Sequence, residues 1–233
     1  MPARDSAARE TTPRDSSAAL PIRLVLASSN PGKLREYRLL VDADATEDGL
    51  AGRPTSVLID PLPNFSVLPP FDESFSTFAE NAAGKALHYS RHADPASLVL
   101  ADDSGLVVPS LNGVPGVHSA RYAGPNATDK DRYEKLLREM RDKAGDPRRA
   151  HFVCVIALAR AGRAVAVVSA RADGHITTEP RGSDGFGYDP VFFFEELGRT
   201  YAETTREEKN LYSHRGKAFR KLLALLIAPS QIP

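Results

Sequence analysis

Apolar positions along this chain change their spacing several times, and each change marks an element. Ile22 to Ala27 is an almost continuous apolar run, the mark of a buried strand, and Ser28 to Lys33 reads as a turn. Leu34, Tyr37, Leu40 and Val41 then recur at helical spacing, with Asn30 placed to cap the helix and Pro31 at its first position. Residues 42–70 are rich in Pro, Asp and Gly and predict a loop with a short strand near 56–59. Phe78, Ala82, Ala86 and Tyr89 mark the apolar face of a helix over 75–92, with Glu80, Asn81, Gly84, Lys85 and His88 off that face. A strand over 97–101 follows, with a second near 106–108. Thr128 and Asp131 cap a helix that carries Tyr133, Leu136, Leu137 and Met140. The runs 151–159 and 163–170, joined by Arg160-Ala-Gly162, predict a hairpin, and a last helix from Ser213 buries Phe219, Leu222, Leu223 and Leu226. Hairpin mixed with strand–helix units predicts an α/β fold on a mixed sheet.

Composition narrows the function. The 233 residues hold 30 Lys+Arg against 30 Asp+Glu, so no overall positive field favours a nucleic-acid polymer as partner. The single cysteine, Cys154, excludes an internal disulfide and fits a reducing, cytoplasmic setting. Its apolar neighbours make it a buried strand thiol. No apolar run is long enough for a membrane helix. Residues 1–21 have almost no large apolar groups and read as a disordered tail ahead of one domain over 22–229.

Four segments carry candidate chemistry. Asp102 and Asp103 follow the apolar run Leu98–Ala101 and lead into Ser104-Gly105, which reads as a strand end running into a glycine-rich turn. Neighbours on a strand face opposite ways, so one carboxylate can hold a hard divalent cation while the other anchors the turn. Two solvated turn carboxylates would look the same. Ser28, Ser29, Asn30, Pro31, Gly32 and Lys33 form a strand–turn–helix start, where free amides, the helix dipole and a lysine attract phosphate; an ordinary capped helix shares the pattern. Phe186, Gly187, Tyr188 and Asp189 offer two rings to stack on a base and a carboxylate to accept a ring N–H. Lys209, His214 and Arg215 add cations, the last two in a helix first turn where the dipole disfavours them unless an anion or electron-rich ligand is near. His88 and His92 stand one helical turn apart, which fits zinc, but a solvated helix face explains them more simply.

Taken together, the segments Ser28–Lys33 with Glu36, Thr77–Ala82 with Lys85, Ala101–Leu106, Gly113–Gly116 with Ser119–Tyr122, Gly185–Pro190, Glu207–Asn210 and Ser213–Arg215 resemble the inosine triphosphatase, or HAM1-like, family. The resemblance implies a mixed sheet with flanking helices in two lobes around a central cleft. It also implies a Mg²⁺-dependent, homodimeric hydrolase that splits ITP, dITP or XTP into a nucleoside monophosphate and pyrophosphate. Asp103 would then be the metal-linked general base, with Lys33 beside it as a catalytic cation. Ser28 to Lys33, Ser104, Phe186 to Asp189, Lys209, His214 and Arg215 would contact substrate. Glu73 or Asp72 would be a second acidic metal contact. The chain departs from the family pattern at Ser29 and Phe75, where glycine is usual, and at Ser183-Asp184. A pyrophosphatase for modified pyrimidine nucleotides, and a non-catalytic nucleotide-binding protein, are the alternative readings.

Overall fold

The computed structural model describes residues 21–44 and 57–227. The expected tail (save Pro21) and the middle of the 42–70 segment lie outside them. In chain order the elements are β1 (Ile22–Leu26), α1 (Pro31–Asp44), β2 (Val57–Pro61), α2 (Phe78–Ser90), β3 (Leu98–Val107), α3 (Asp129–Glu139), β4 (Arg149–Arg160), β5 (Arg163–Ile176), β6 (Phe192–Phe194), β7 (Arg199–Thr200), α4 (Arg206–Tyr212) and α5 (His214–Ile227). The strands form one open sheet in the order β2-β1-β3-β4-β5-β6-β7. β1 runs parallel to β2 and β3, and every later pairing is antiparallel. The mixed α/β architecture expected from the sequence is the one found.

Strand alternation divides the core. On one face Leu24, Leu26, Leu100, Cys154 and Ile156 pack against Tyr37 of α1 and Phe219, Leu222 and Leu223 of α5. On the other, Val99, Ala101, Val155 and Ala157 meet Ala82, Ala86 and Tyr89 of α2. Those alanines let α2 lie close to the sheet. A third cluster around Leu106, Leu136, Met140, Phe152, Phe192 and Tyr201 fills the far end. Cys154 is fully buried, and burial and then the nearby Asp102 push its thiol up to about 12. The native protein should therefore leave Cys154 unlabelled by a thiol reagent at pH 8, with full labelling only after denaturation; rapid labelling of folded protein would contradict this packing.

The structure corrects one boundary that matters. Residues 97–108 are not two strands around a glycine turn. β3 is continuous from Leu98 to Val107 and pairs with β4 throughout Asp102–Gly105. Gly105 serves close approach rather than turning: a Cβ there would collide with the Gly116 carbonyl oxygen and lie 2.5 Å from Ser119 Oγ. The Ser119 hydroxyl in turn accepts the Leu106 amide at 2.9 Å. The two aspartates thus sit in the middle of a paired strand, on rigid backbone. α2 also starts later than expected, at Phe78, because Thr77 caps it by accepting the Glu80 amide.

Candidate active site

The alternation of β3 sends Asp102 toward α1 and α5, and Asp103 toward α2. Asp102 is 1% exposed and accepts from Lys33 Nζ at 2.8 Å and from Arg215 Nε and Nη2 at 3.4 Å each. Burial alone would raise its carboxyl, but Lys33 and Arg215 outweigh it and hold the group down at about 2. Arg215 also bonds Glu36 and, at 2.9 Å, Ser104 Oγ. Glu36 passes the chain of charges to Lys209 Nζ at 2.9 Å, and Lys209 meets Asp189 at 2.5 Å. Burial disfavours charge on Lys209, yet Asp189 and Glu36 more than compensate and keep it protonated. Lys33, Arg215 and Lys209 are thus matched one for one by Asp102, Glu36 and Asp189.

Asp103 has no cationic partner of this kind among the described residues. It is 8% exposed, and its Oδ2 accepts from Asn81 Nδ2 at 3.0 Å. Burial raises its carboxyl to about 6; the Asn81 bond and Lys33 oppose that rise, while Glu73 and Asp102 add to it. Asn81 is itself clamped, with its Oδ1 accepting from the Phe75 amide and its Nδ2 donating to the Phe75 carbonyl. Phe75 therefore contributes backbone to the support of Asp103.

Lys33, Asp103, Ser104, Asp189, Lys209 and Arg215 line a cleft of about 550 Å³ that also receives Ser29, Glu73, Lys85, Asp129, Phe152 and Phe186, whereas Asp102, Glu36 and Asn81 are not part of its lining. Glu73 enters it paired with Lys85, whereas Asp72 is exposed and does not line it. Of the two expected acids, Glu73 is the one delivered. Among the described residues no three His, Cys, Asp or Glu side chains converge on a metal-sized point. Asp103 and Glu73 nevertheless supply the oxygen donors that suit Mg²⁺, which takes one or two carboxylates and completes its shell from substrate phosphates and water.

Several expected contacts change character. Gly32 and Lys33 amides are not free, because Asn30 Oδ1 takes them at 2.8 and 3.3 Å, and Ser28 Oγ accepts the Asn30 amide. An anion there would meet the helix dipole and the Lys33 ammonium rather than those two amides. Ser28 does not line the cleft, although Ser29 to Lys33 do. Tyr188 borders the cleft but is 3% exposed and donates to the Ser119 carbonyl at 3.0 Å, so most of its ring belongs to the core. Phe186 presents its ring to Lys209 at 4.6 Å and lies against Gly32. Asp189 is committed to Lys209 and, at 2.8 Å, to the Phe186 amide, so it shapes the loop instead of reading a base. The basic residues opening α5 need no anion to explain them: Arg215 is neutralised by Glu36 and Asp102. His214 is held neutral, first by burial and then by Arg215 and Lys209, and stacks on Phe152 at 4.6 Å and 10°. Its Nδ1 is buried with no partner among the described residues. His88 sits beside His92 but also reaches the Pro69 carbonyl at 2.8 Å.

Sequence reasoning assigned no role to Asn81, Glu36, Lys85 or Asp129. A signal existed for Asn81, which stands three residues after Phe78 and next to Ala82, and so borders the apolar face of α2. For Glu36 and Lys85 the partners are too far along the chain for spacing to show them, and for Asp129 the spacing shows Arg132 but not Gly187, 58 residues on.

The chain is similar to known proteins over most of its length. The model of the Ham1 family matches residues 24–225. A dITP/XTP pyrophosphatase of Geobacillus kaustophilus is 47% identical over 199 residues, covering 85% of this chain and 91% of its own. That of Thermus thermophilus is 44% identical over 203 residues, covering 87% and 90%. A solved HAM1 protein from Coxiella burnetii superposes with a TM-score of 0.75 at 39% identity, covering 89% of this chain and all of its own.

Proposed function

The chain belongs to the Ham1 family, and from that premise we propose that it hydrolyses the deaminated purine nucleotides ITP, dITP and XTP to the nucleoside monophosphate and pyrophosphate. The observation that carries this reading is the division of labour at Asp102 and Asp103. One carboxylate is locked into a neutral framework; its neighbour faces an open cleft with a proton affinity close to working pH. Such a group suits a general base. Asn81 fixes one of its oxygens, and the other lies toward the cleft, where it takes a proton from the attacking water.

Asp103 and Glu73 would hold Mg²⁺, which when bound supplies charge neutralisation and a more acidic water. Lys33 and the start of α1 attract the phosphates, and Lys33 stabilises charge on the leaving pyrophosphate. At the other end of the cleft Phe186 offers an apolar face to the base. The neutral imidazole of His214, with one donor and one acceptor nitrogen, can pair with a 6-oxo purine. In the tautomer that turns its N–H to the base, a 6-amino group would put donor against donor, so His214 favours a 6-oxo purine through that tautomer. Arg215, already engaged by Glu36, Asp102 and Ser104, serves this pocket by holding it together. The resemblance further supports a homodimer acting in the cytoplasm; among the described residues no helix is long and apolar enough to cross a membrane.

Pyrophosphate release from ITP, dITP and XTP, against ATP, GTP and a set of modified pyrimidine nucleotides, tests the reading. Turnover should favour the three deaminated purines by at least about 100-fold and stop when a chelator removes divalent metal. Equal rates on ATP, or preference for a pyrimidine, would overturn it.

A further inference from the structure

The loop that presents Phe186 is tethered by a side chain from outside it. Gly187, in the left-handed region at φ 67°, donates its amide to Asp129 Oδ2 at 2.8 Å. Asp129 opens α3, and its other oxygen is held by Arg132 Nη1 at 2.6 Å. Arg132 is fixed in turn through Nη2, 2.6 Å from the Ala127 carbonyl. Asp129 is not needed to cap its own helix. That role belongs to Thr128 and Asp131, whose reciprocal bonds form a complete capping box.

We propose that Asp129 is a positioning residue for nucleotide binding: with Arg132 behind it, it pins the Gly187 amide and so sets the Phe186 ring at the height where a base must stack. The inference rests on reading the cleft as a nucleotide site. Three features support it. Asp129 and Arg132 both line the cleft, as Phe186 and Gly187 do. The adjacent amide, that of Phe186, is held by Asp189 from within the loop, so Asp129 supplies a tether that comes from α3. Among the described residues the Phe186 ring makes no ring–ring contact; it meets Lys209 at 4.6 Å, Arg215 at 5.9 Å and side-chain-free Gly32, so the backbone that carries it has a large share in its placement. A charge-assisted bond to a loop amide lowers the ordering cost that substrate would otherwise meet. The effect belongs in binding, not in the chemical step, because Asp103 sits on β3 and does not touch the loop.

Asp129→Ala, Asp129→Asn and, as a control on the helix start, Asp131→Ala should be compared with wild type by hydrogen exchange over 182–189 and by steady-state kinetics on ITP. In Asp129→Ala the Gly187 amide should exchange at least about tenfold faster. KM should rise about tenfold, the equivalent of ~1.4 kcal/mol, with kcat within about twofold. Asp129→Asn keeps an oxygen for the amide and should restore both readouts most of the way. Asp131→Ala should lower thermal stability without moving KM. Unchanged exchange in Asp129→Ala, a loss confined to kcat, or Asp129→Asn as impaired as alanine would overturn the proposal. The exchange arm needs no substrate. A wild type inactive on ITP would therefore sink the functional reading and leave the tether itself decided.

Discussion

Replacing Asp103 by asparagine should abolish turnover, by about 10³-fold or more, and at the same time make the protein more stable. The first effect follows because asparagine cannot accept the proton of the attacking water or lend a charged oxygen to a metal. The second follows from the raised proton affinity of Asp103. A carboxyl held near 6 in the fold, against 3.8 unfolded, prefers to be protonated in the native state. Its contribution to stability is present below pH 3.8 and is lost as pH rises through 6, so at pH 7 ionised Asp103 costs on the order of 2–3 kcal/mol. The introduced amide can still accept from Asn81 through its oxygen and escapes that cost. In the presence of a chelator, so that no metal offsets the charge, the variant should melt roughly 5 °C or more above wild type at pH 7.5, and the gain should vanish near pH 4. Wild-type kcat/KM should show an acid limb with an apparent pKa near 6. An active Asp103→Asn enzyme, or one less stable than wild type at pH 7.5, would remove Asp103 from this role.

Arg215→Ala should do the opposite and threaten the fold. Arg215 is 2% exposed and lies between Glu36 and Asp102, themselves largely buried. Its loss leaves two carboxylates facing each other with only Lys33 and Lys209 to answer them. Breaking a buried pair from one side typically costs about 3–5 kcal/mol, because the remaining charge is stranded. Urea melts should register a loss of that size. Adding Glu36→Gln to Arg215→Ala should recover part of it, since the stranded carboxylate is the source of the cost. The acid side of the stability curve should flatten as well: Asp102, held at about 2, contributes stability that is present above 3.8 and disappears as pH falls toward 2, and without Arg215 that contribution shrinks. Stability unchanged in Arg215→Ala would show that Arg215 is a surface-like contact and not a keystone of the cleft.

The contrast between these two positions, one aspartate and one arginine, shows what the sequence could and could not reveal. The strands of the hairpin, the capping box at Thr128 and the helical spacing of α5 are local matters, and local patterns announce them. That Asp102 and Asp103 diverge is also local, being a property of any strand. What escaped is everything settled by partners far away in the chain. Gly105 looks like turn chemistry until Gly116 and Ser119 are seen to occupy the space its side chain would need. Tyr188 and Asp189 read as ligands because aromatic and acidic residues beside glycine suit a base; burial against Ser119 and Lys209 reassigns both. His214 and Arg215 look misplaced at a helix start until Glu36 and Asp102 are brought to them from α1 and β3.

The alternating chain of charges from Lys33 to Asp189 also bears on how the molecule comes into being during translation. It draws on α1, β3, the Phe186 loop, α4 and α5, and Arg215 meets Asp102 across a sequence separation of 113. Domains tend to consolidate as they emerge from the ribosome, yet contacts this remote must wait. Until α5 has been made, the nascent polypeptide carries Glu36 and Asp102 without their shared guanidinium. Catalytic competence should then arrive late and abruptly, rather than growing with each residue added.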